Sequence, residues 1–265
     1  MTHENSFLSK NLDKPSHVVI IMAGGDGKRM KSNVPKVLHP VLGIPMLVRI
    51  IRTSHLTNPQ KILVVVGRHK NIIENELNRY DLNNLVTLVD QPQSNGTGHA
   101  VMCCKSELEK VDNNTKIIIL NGDMPFINKH FIQEMVNNNF SNIVSTTFSE
   151  DNTTSGKVLT NDNKFIKIVE AKDATPEILK IKLINCGLYC FRNRDLIQSF
   201  DHLKNINSQN EYYITDIPEI INNKLNEELY IQMIPVEKQH FVCGVNTMEE
   251  LLVLENIVKT LNLQL

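Results

Sequence analysis

Val18-Val19-Ile20-Ile21-Met22-Ala23-Gly24-Gly25-Asp26-Gly27-Lys28-Arg29-Met30 is a β-branched run that breaks into glycines and then into two cations. The unbroken apolar character of Val18–Ala23 predicts a strand buried on both faces, as in a parallel sheet covered by helices. Glycines at its end let the backbone turn sharply and present several N–H groups, while Lys28 and Arg29 add charge, a turn shaped for phosphates. Taken alone, such a turn is either a ligand loop or a tight structural turn. Two common phosphate motifs fail against it. The dinucleotide fingerprint needs a third glycine where Met30 stands, and the Walker loop needs a glycine where Met22 stands.

Further runs of the same kind follow at Lys61–Val66, Val86–Asp90 and Lys116–Leu120, separated by amphipathic stretches. Pro45 opens a helix where a missing N–H costs nothing, and Leu47, Ile50, Ile51 and Ser54 follow at i, i+3, i+4 and i+7. Helices are also expected over Asn71–Arg79, Gly98–Glu107 and Lys129–Val136. This alternation predicts an α/β chain with a doubly wound, mostly parallel sheet. After Ile143 the pattern shifts to strand-rich segments (Asn142–Phe148, Lys164–Glu170, Lys182–Phe191) with shorter helical pieces, which predicts a smaller α+β lobe. Met248–Leu261 reads as a closing amphipathic helix. The chain therefore divides into a disordered leader (1–16) and one domain (17–265), itself a doubly wound half (17–140), a lobe (141–246) and a closing helix (247–265).

Composition excludes several roles. Lys plus Arg total 28 against 29 for Asp plus Glu, so a net charge of -1 supplies no long-range field to recruit nucleic acid or a membrane surface. Phosphate chemistry must then rest on local cations. No stretch approaches the roughly 20 apolar residues that span a bilayer, and the polar N-terminus is neither signal nor anchor, which points to the cytoplasm. Five cysteines without CxxC or zinc-like spacing suit reduced, structural thiols.

Three motifs keep company with the first glycine turn. Pro35-Lys36-Val37-Leu38 brings a second cation within a loop's reach. Gln91 and Gly96-Thr97-Gly98-His99 follow another strand and enter a helix, offering N–H donors, a cap, and an amide able to pair with a base edge; the alternative is a well-capped turn. Asn121-Gly122-Asp123 places a carboxylate at the carboxyl edge of the sheet, where ligands bind in open α/β folds. Mg²⁺ takes one or two protein oxygens plus substrate phosphates, so Asp123 needs few partners; alone, it would be a turn residue.

These motifs, with Val169-Glu170-x-Lys172-Asp173-Ala174, Glu211-Tyr212-Tyr213-x-Thr215-Asp216 and Gly244-Val245-Asn246, stand in the order found in sugar-1-phosphate nucleotidyltransferases. Over about residues 17–260 the chain resembles the uridylyltransferase domain of the bacterial N-acetylglucosamine-1-phosphate uridylyltransferases. The resemblance implies a Rossmann-like nucleotidyltransferase fold whose 17–140 half binds nucleotide and whose lobe binds sugar. It implies that the Gly25–Arg29 loop wraps the triphosphate, that Arg29 and Lys36 are catalytic cations that neutralise phosphate charge, that Ala23, Gly24, Gly25, Gly27, Lys36, Gln91, Gly96 and Thr97 contact the nucleotide, and that Gln91 with Gly96 reads the uracil. Asp123 and Asn246 would hold Mg²⁺, while Gly156, Glu170, Asn185 and Thr215 would bind the N-acetyl sugar. His39 and His99 are expected to serve packing or phosphate contact, and the remaining histidines to lie on the surface.

The implied reaction moves UMP from UTP to N-acetylglucosamine 1-phosphate, with no nucleic-acid or membrane partner. The departures are Lys28 for the usual Thr, Ser155 and Lys157 around Gly156 for Tyr and Arg, and Asn121 for Tyr. They bear on the identity of the sugar more than on the reaction type, and the nucleotide half is nearly intact; the alternatives within the class are transfer to another sugar phosphate, such as glucose 1-phosphate, or use of dTTP. A non-catalytic regulator that binds nucleotide sugar is a further alternative, as is an NAD enzyme, which the missing third glycine disfavours. Bacterial relatives continue into a hexapeptide β-helix that acetylates and trimerises. No such repeat occurs here, so no acetyl transfer and no β-helix trimer is expected, and the chain would be a monomer or weak dimer.

Overall fold

Every residue of the opening apolar run is needed where the chain puts it. In the computed structural model, which describes residues 17–260 except 26, 31, 33, 151–153 and the Lys28 side chain, Val18–Ile21 have no exposed surface. Full burial of each such side chain contributes about 2 kcal/mol. The expected leader and the added charge of Lys28 lie outside the described residues.

The strands are β1 (His17–Met22), β2 (Pro40–Val41), β3 (Ile44–Pro45), β4 (Lys61–Val66), β5 (Thr87–Asp90), β6 (Lys116–Asn121), β7 (Ile143–Phe148), β8 (Lys157–Asn161), β9 (Lys164–Val169), β10 (Leu183–Arg192) and β11 (Tyr230–Met233). The α-helices are α1 (Met46–His55), α2 (Lys70–Arg79), α3 (Thr97–Met102), α4 (Lys105–Leu108), α5 (Lys129–Asn137), α6 (Pro176–Leu179), α7 (Asn193–Phe200), α8 (Ile217–Asn223) and α9 (Met248–Thr260). The main sheet runs β11-β7-β10-β6-β1-β4-β5, with β8 joining β10 and β9 joining β8. Along that path only β10 is antiparallel to its neighbours.

Alternation on β1 divides the core. Val19 and Ile21, with Ile62, Val64, Ile118 and Leu120, face the layer of α1, α2 and α5. Val18 and Ile20, with Leu63, Val65, Ile117 and Ile119, face α3, α4, α7 and α8. Both faces are thus covered, the doubly wound arrangement expected. From β1 the chain passes to β4 on one side and later to β6 on the other, so strand order reverses around β1 and a crevice opens at the carboxyl ends. A third cluster packs Leu251, Leu254 and Val258 of α9 against Met30, Met46, Phe126 and Val245, pinning the end of the glycine loop.

Three details differ from expectation. The helix expected over Gly98–Glu107 is two, because Cys104 N–H bonds to Val101 O and the tightened turn ends α3 before α4 restarts. Beyond Ile143, β7, β10 and β11 extend the same sheet, and the β8–β9 hairpin turns through Asp162 and Asn163, both at positive φ. His17 is not on the surface. It is 1% exposed, lies 2.9 Å from Thr57 Oγ1 through Nε2, and burial lowers its pKa to about 4.

Candidate active site

The glycine loop after β1 is shaped by what lies beneath it. Gly27 has φ +61°, and a Cβ there would fall 2.5 Å from Lys36 Cβ. Lys36 begins a short 3₁₀ turn whose Val37 and Leu38 are buried, so its backbone is anchored while the amine reaches into the crevice. There Nζ donates to Asp123 Oδ2 and, at 3.2 Å, to Asn246 Oδ1. Arg29 donates to the same Asn246 oxygen at 2.7 Å.

Asp123 and Asn246 are positioned by backbone. Asp123 follows β6, and its carbonyl accepts Val245 N–H at 2.9 Å. Thr247 Oγ1 accepts Glu250 N–H at 3.1 Å while Glu250 Oε2 accepts Asn246 N–H at 2.6 Å. This is a capping-box pairing at the start of α9 whose carboxylate reaches one residue further back than usual. Asp123 Oδ1 is buried with no hydrogen-bond partner among the described residues. A divalent cation fits this set: two hard oxygen ligands, one with an unmet valence, beside a cleft able to hold phosphates. Among the described residues no three His, Cys, Asp or Glu side chains converge, so substrate and water oxygens would complete the shell.

At the other end of the crevice Gln91 is buried, with Nε2 donating to Gly96 O at 3.1 Å and 3.4 Å from His99 Nδ1. Gly96 has φ +104° because segment 211–213 presses on it: a Cβ would sit 2.4 Å from Tyr212 O. Gly98 N–H bonds Tyr212 O at 2.7 Å, and Tyr212 N–H bonds Asn95 O at 2.8 Å. Thr97 was expected to cap its own helix. Its hydroxyl instead reaches across to accept Ile214 N–H at 3.1 Å, because the neighbouring 3₁₀ turn Ile214–Asp216 has its own amides to satisfy. His99 buttresses this joint, its ring 6.4 Å from that of Tyr212.

A cleft of about 490 Å³ spans both ends. Of the residues expected to meet nucleotide or metal, all but Ala23 line it; Ala23 is buried and extends the β1–β4 pairing through its N–H to Val65 O. Ser94, Asn121 and Glu211, absent from the expected set, line it too.

Gly156, Glu170, Asn185 and Thr215 do not line this cleft, yet they are gathered together. Thr215 Oγ1 donates to Glu170 Oε1 at 2.9 Å, Asn185 N–H bonds Gly156 O at 2.9 Å, and Asn185 Nδ2 donates to Tyr189 Oη at 2.6 Å. A Cβ on Gly156 would be 3.6 Å from Glu170 Oε2. Burial raises the Glu170 pKa, Asp173 adding to the shift. Asp216 is pushed up to about 6 by burial, then by Glu219, Glu170 and Asp173. Segment 211–216 therefore joins the loop around Gly96 to the carboxylate at Glu170. Glu211, Glu250 and Asp216 lie within or beside quoted motifs, but their partners become visible only in three dimensions.

Residues 19–182 match the family described as a MobA-like NTP transferase domain. With the crevice built as above, the chain belongs to the MobA-like NTP transferase family. Within it, the chain is similar to the "Probable UDP-N-acetylglucosamine pyrophosphorylase" of Acanthamoeba polyphaga mimivirus, at 37% identity over 91% of this chain and 96% of that protein. It is also similar to the "Bifunctional protein GlmU" of Prochlorococcus marinus (37% identity; 80% of this chain, 47% of that one) and of Caldicellulosiruptor saccharolyticus (35%; 91% and 51%). The chain spans about half the length of those bifunctional relatives. A crystal structure from Bacillus anthracis assigned to glucose-1-phosphate thymidylyltransferase, in complex with sucrose, superposes with a TM-score of 0.71 over 94% of this chain and 98% of its own. At 19% identity that likeness bears on the fold alone.

Proposed function

We propose that the chain is a uridylyltransferase that moves UMP from UTP to N-acetylglucosamine 1-phosphate, giving UDP-N-acetylglucosamine and pyrophosphate. The observation that carries this is the convergence of Arg29, Lys36, Asp123 and Asn246 on one wall of the glycine-loop cleft. An oxygen of the sugar phosphate, already ionised near neutral pH, attacks the α-phosphorus of UTP. The new P–O bond forms as the bond to the bridging oxygen breaks, and pyrophosphate leaves. No general base is needed, so the work is to bring two polyanions into line and to stabilise charge on the transferring group.

The N–H groups of the loop at Gly24, Gly25 and Gly27, with Arg29, meet the triphosphate. Lys36 meets charge at the α-phosphate. Mg²⁺ held by Asp123, Asn246 and phosphate oxygens would supply further charge neutralisation at that group. Gln91, Gly96 and Thr97 receive the uridine, and Gly156, Asn185 and Glu170 receive the sugar, Glu170 being oriented by Thr215. The 17–140 half binds nucleotide and the 141–246 lobe binds sugar. Its partners are these small molecules, its place the cytoplasm; among the described residues no helix is long and apolar enough to cross a membrane.

Asn121, Ser155 and Lys157, where the resembled enzymes carry Tyr, Tyr and Arg, favour a second reading in which the acceptor is another sugar phosphate such as glucose 1-phosphate, and use of dTTP as donor is tested beside it. Incubation with each pairing of UTP or dTTP with N-acetylglucosamine or glucose 1-phosphate, with Mg²⁺, is read by pyrophosphate release. The proposal expects the UTP and N-acetylglucosamine 1-phosphate pair to be fastest. Faster release from another pair moves the assignment to it, and calorimetric binding without release from any pair makes the chain a nucleotide-sugar sensor.

A further inference from the structure

A second cavity, of about 410 Å³, shares no lining residue with the active-site cleft. Its charged wall is Arg49 and Arg52, one turn apart on α1, facing Lys129 and His130 at the start of α5. No acidic side chain lines it, and among the described residues none of these four has a carboxylate bonded to it. Arg49 Nε is fixed on Val41 O at 2.9 Å, and its guanidinium stands 5.8 Å from the Phe126 ring centre. Arg52 stands over Tyr80 at 5.4 Å. Glu255 favours the Arg49 charge through space without a direct bond to it, while one of its oxygens accepts Leu42 N–H at 2.6 Å. Burial disfavours the Arg49 charge, so that guanidinium gains from an incoming anion.

The rest of the lining is mostly apolar, Leu56, Phe126, Ile127 and Phe241 among it, with Thr53 and Asn128 adding two polar side chains. In a chain whose net charge is -1, four basic side chains around one pocket, none of them in an ion pair among the described residues, form a local exception. Cations beside aromatic rings, as where Arg49 stands over Phe126, suit a small organic phosphate whose anionic end meets the arginines while its flat or apolar body lies on the phenylalanines. The volume is within the range of pockets that enclose one such molecule, about 300–1,000 Å³.

The cavity also bears on the reaction centre. Phe126 and Ile127 follow Asp123 by three and four residues, and Phe241 precedes Asn246 by five. Phe126 packs in the same cluster as Met30 and Val245, each one residue from Arg29 or Asn246. We infer that this cavity is a second, non-catalytic site for a small organic phosphate, and that a ligand there shifts the Asp123 and Asn246 segments together.

Phenyl phosphate is a suitable probe, titrated calorimetrically into the full chain. The expected result is one saturable site that survives Lys36→Ala and weakens at least about tenfold in the Arg52→Ala, Lys129→Ala double variant, the scale of one lost charged hydrogen bond. Both substituted side chains lie outside the catalytic machinery, so the double variant keeps its melting temperature and its turnover without probe. In the wild type, saturating probe changes KM or kcat by about fivefold, the low end of allosteric couplings, and the double variant does not respond. Binding abolished by Lys36→Ala would place the probe in the active site and overturn the inference. Binding undiminished in the double variant, or no saturable binding, would also overturn it. Because the main readout is binding, its failure is separate from any failure of the transfer reaction.

Discussion

The two ends of the site use opposite electrostatics. Around Lys36 and Arg29 the protein holds cations against oxygens in a cleft reached by water, and every such side chain has a partner that a phosphate or a metal can replace. Around Glu170 it holds a carboxylate in poor solvation, with Thr215 as the hydroxyl on it and Asp173 adding to the rise in its pKa, while Asp216 is raised by burial and then by Glu219, Glu170 and Asp173. The first arrangement is ready for an incoming polyanion. The second is short of donors and gains when sugar hydroxyls supply them. On the proposed reading, the cleft and the neighbouring Glu170 group would thus sort two substrates by the sign of what each lacks.

The hardest test of that contrast is at the cationic end. Lys36→Ala is expected to lower kcat by about a hundred- to a thousandfold, the scale of one lost donor at a developing charge. The melting curve should move by only about 1 kcal/mol, because the Lys36–Asp123 pair is partly solvated. A variant turning over at a tenth of the wild-type rate or better would remove Lys36 from the reaction and leave it a structural partner of Asp123.

Glu170→Gln probes the acidic end with less force. The amide keeps an acceptor for Thr215 but loses the charge offered to the sugar. KM for the sugar phosphate should rise about ten- to a hundredfold, as for one charged hydrogen bond, while KM for UTP stays within about twofold. Stability should rise, since a desolvated charge disappears. Equal rises in both KM values would instead mean that segment 211–216 transmits the change to the Gly96 loop, making the two ends one unit.

How far the sequence discloses each end follows from how each is built. The cationic end sits on loops at the carboxyl ends of β1 and β6, where apolar runs break into glycine, and both the runs and the breaks are visible in one dimension. β4 matches its expected bounds of Lys61–Val66, because its five apolar residues are buried and only Lys61 at its start is not. The acidic end is assembled from β9, β10 and a 3₁₀ turn, short elements with mixed burial. Among them Glu170 reads like any solvated strand-end carboxylate, and only the resemblance picks it out. β8 and the four-residue edge strand β11 escaped notice because neither shows a long enough apolar period. His17 misled for a related reason. Nothing in its place at the start of β1 indicates that Thr57, 40 positions away, meets its ring.

The smallest effect concerns pH. A carboxylate whose pKa in the folded chain is raised holds its proton more tightly there than in the unfolded chain, so the folded state gains stability as pH falls through the window. For Asp216 that window runs from about 6 down to the ordinary aspartate value of 3.8, and partial solvent exposure limits the gain to roughly 1 kcal/mol. Ligand binding should move the other way, because a protonated Glu170 can no longer accept two sugar hydroxyls. UDP-N-acetylglucosamine is the informative ligand, since its diphosphate does not titrate near neutrality whereas both substrates' phosphates do. Its affinity is expected to fall a fewfold on acidification, beginning above the usual carboxylate range, and to be flat with pH in Glu170→Gln. Because Glu170 and Asp216 feel one another, the midpoint belongs to the pair. An unchanged slope in Glu170→Gln would assign the titration to Asp216 and remove Glu170 from the sugar.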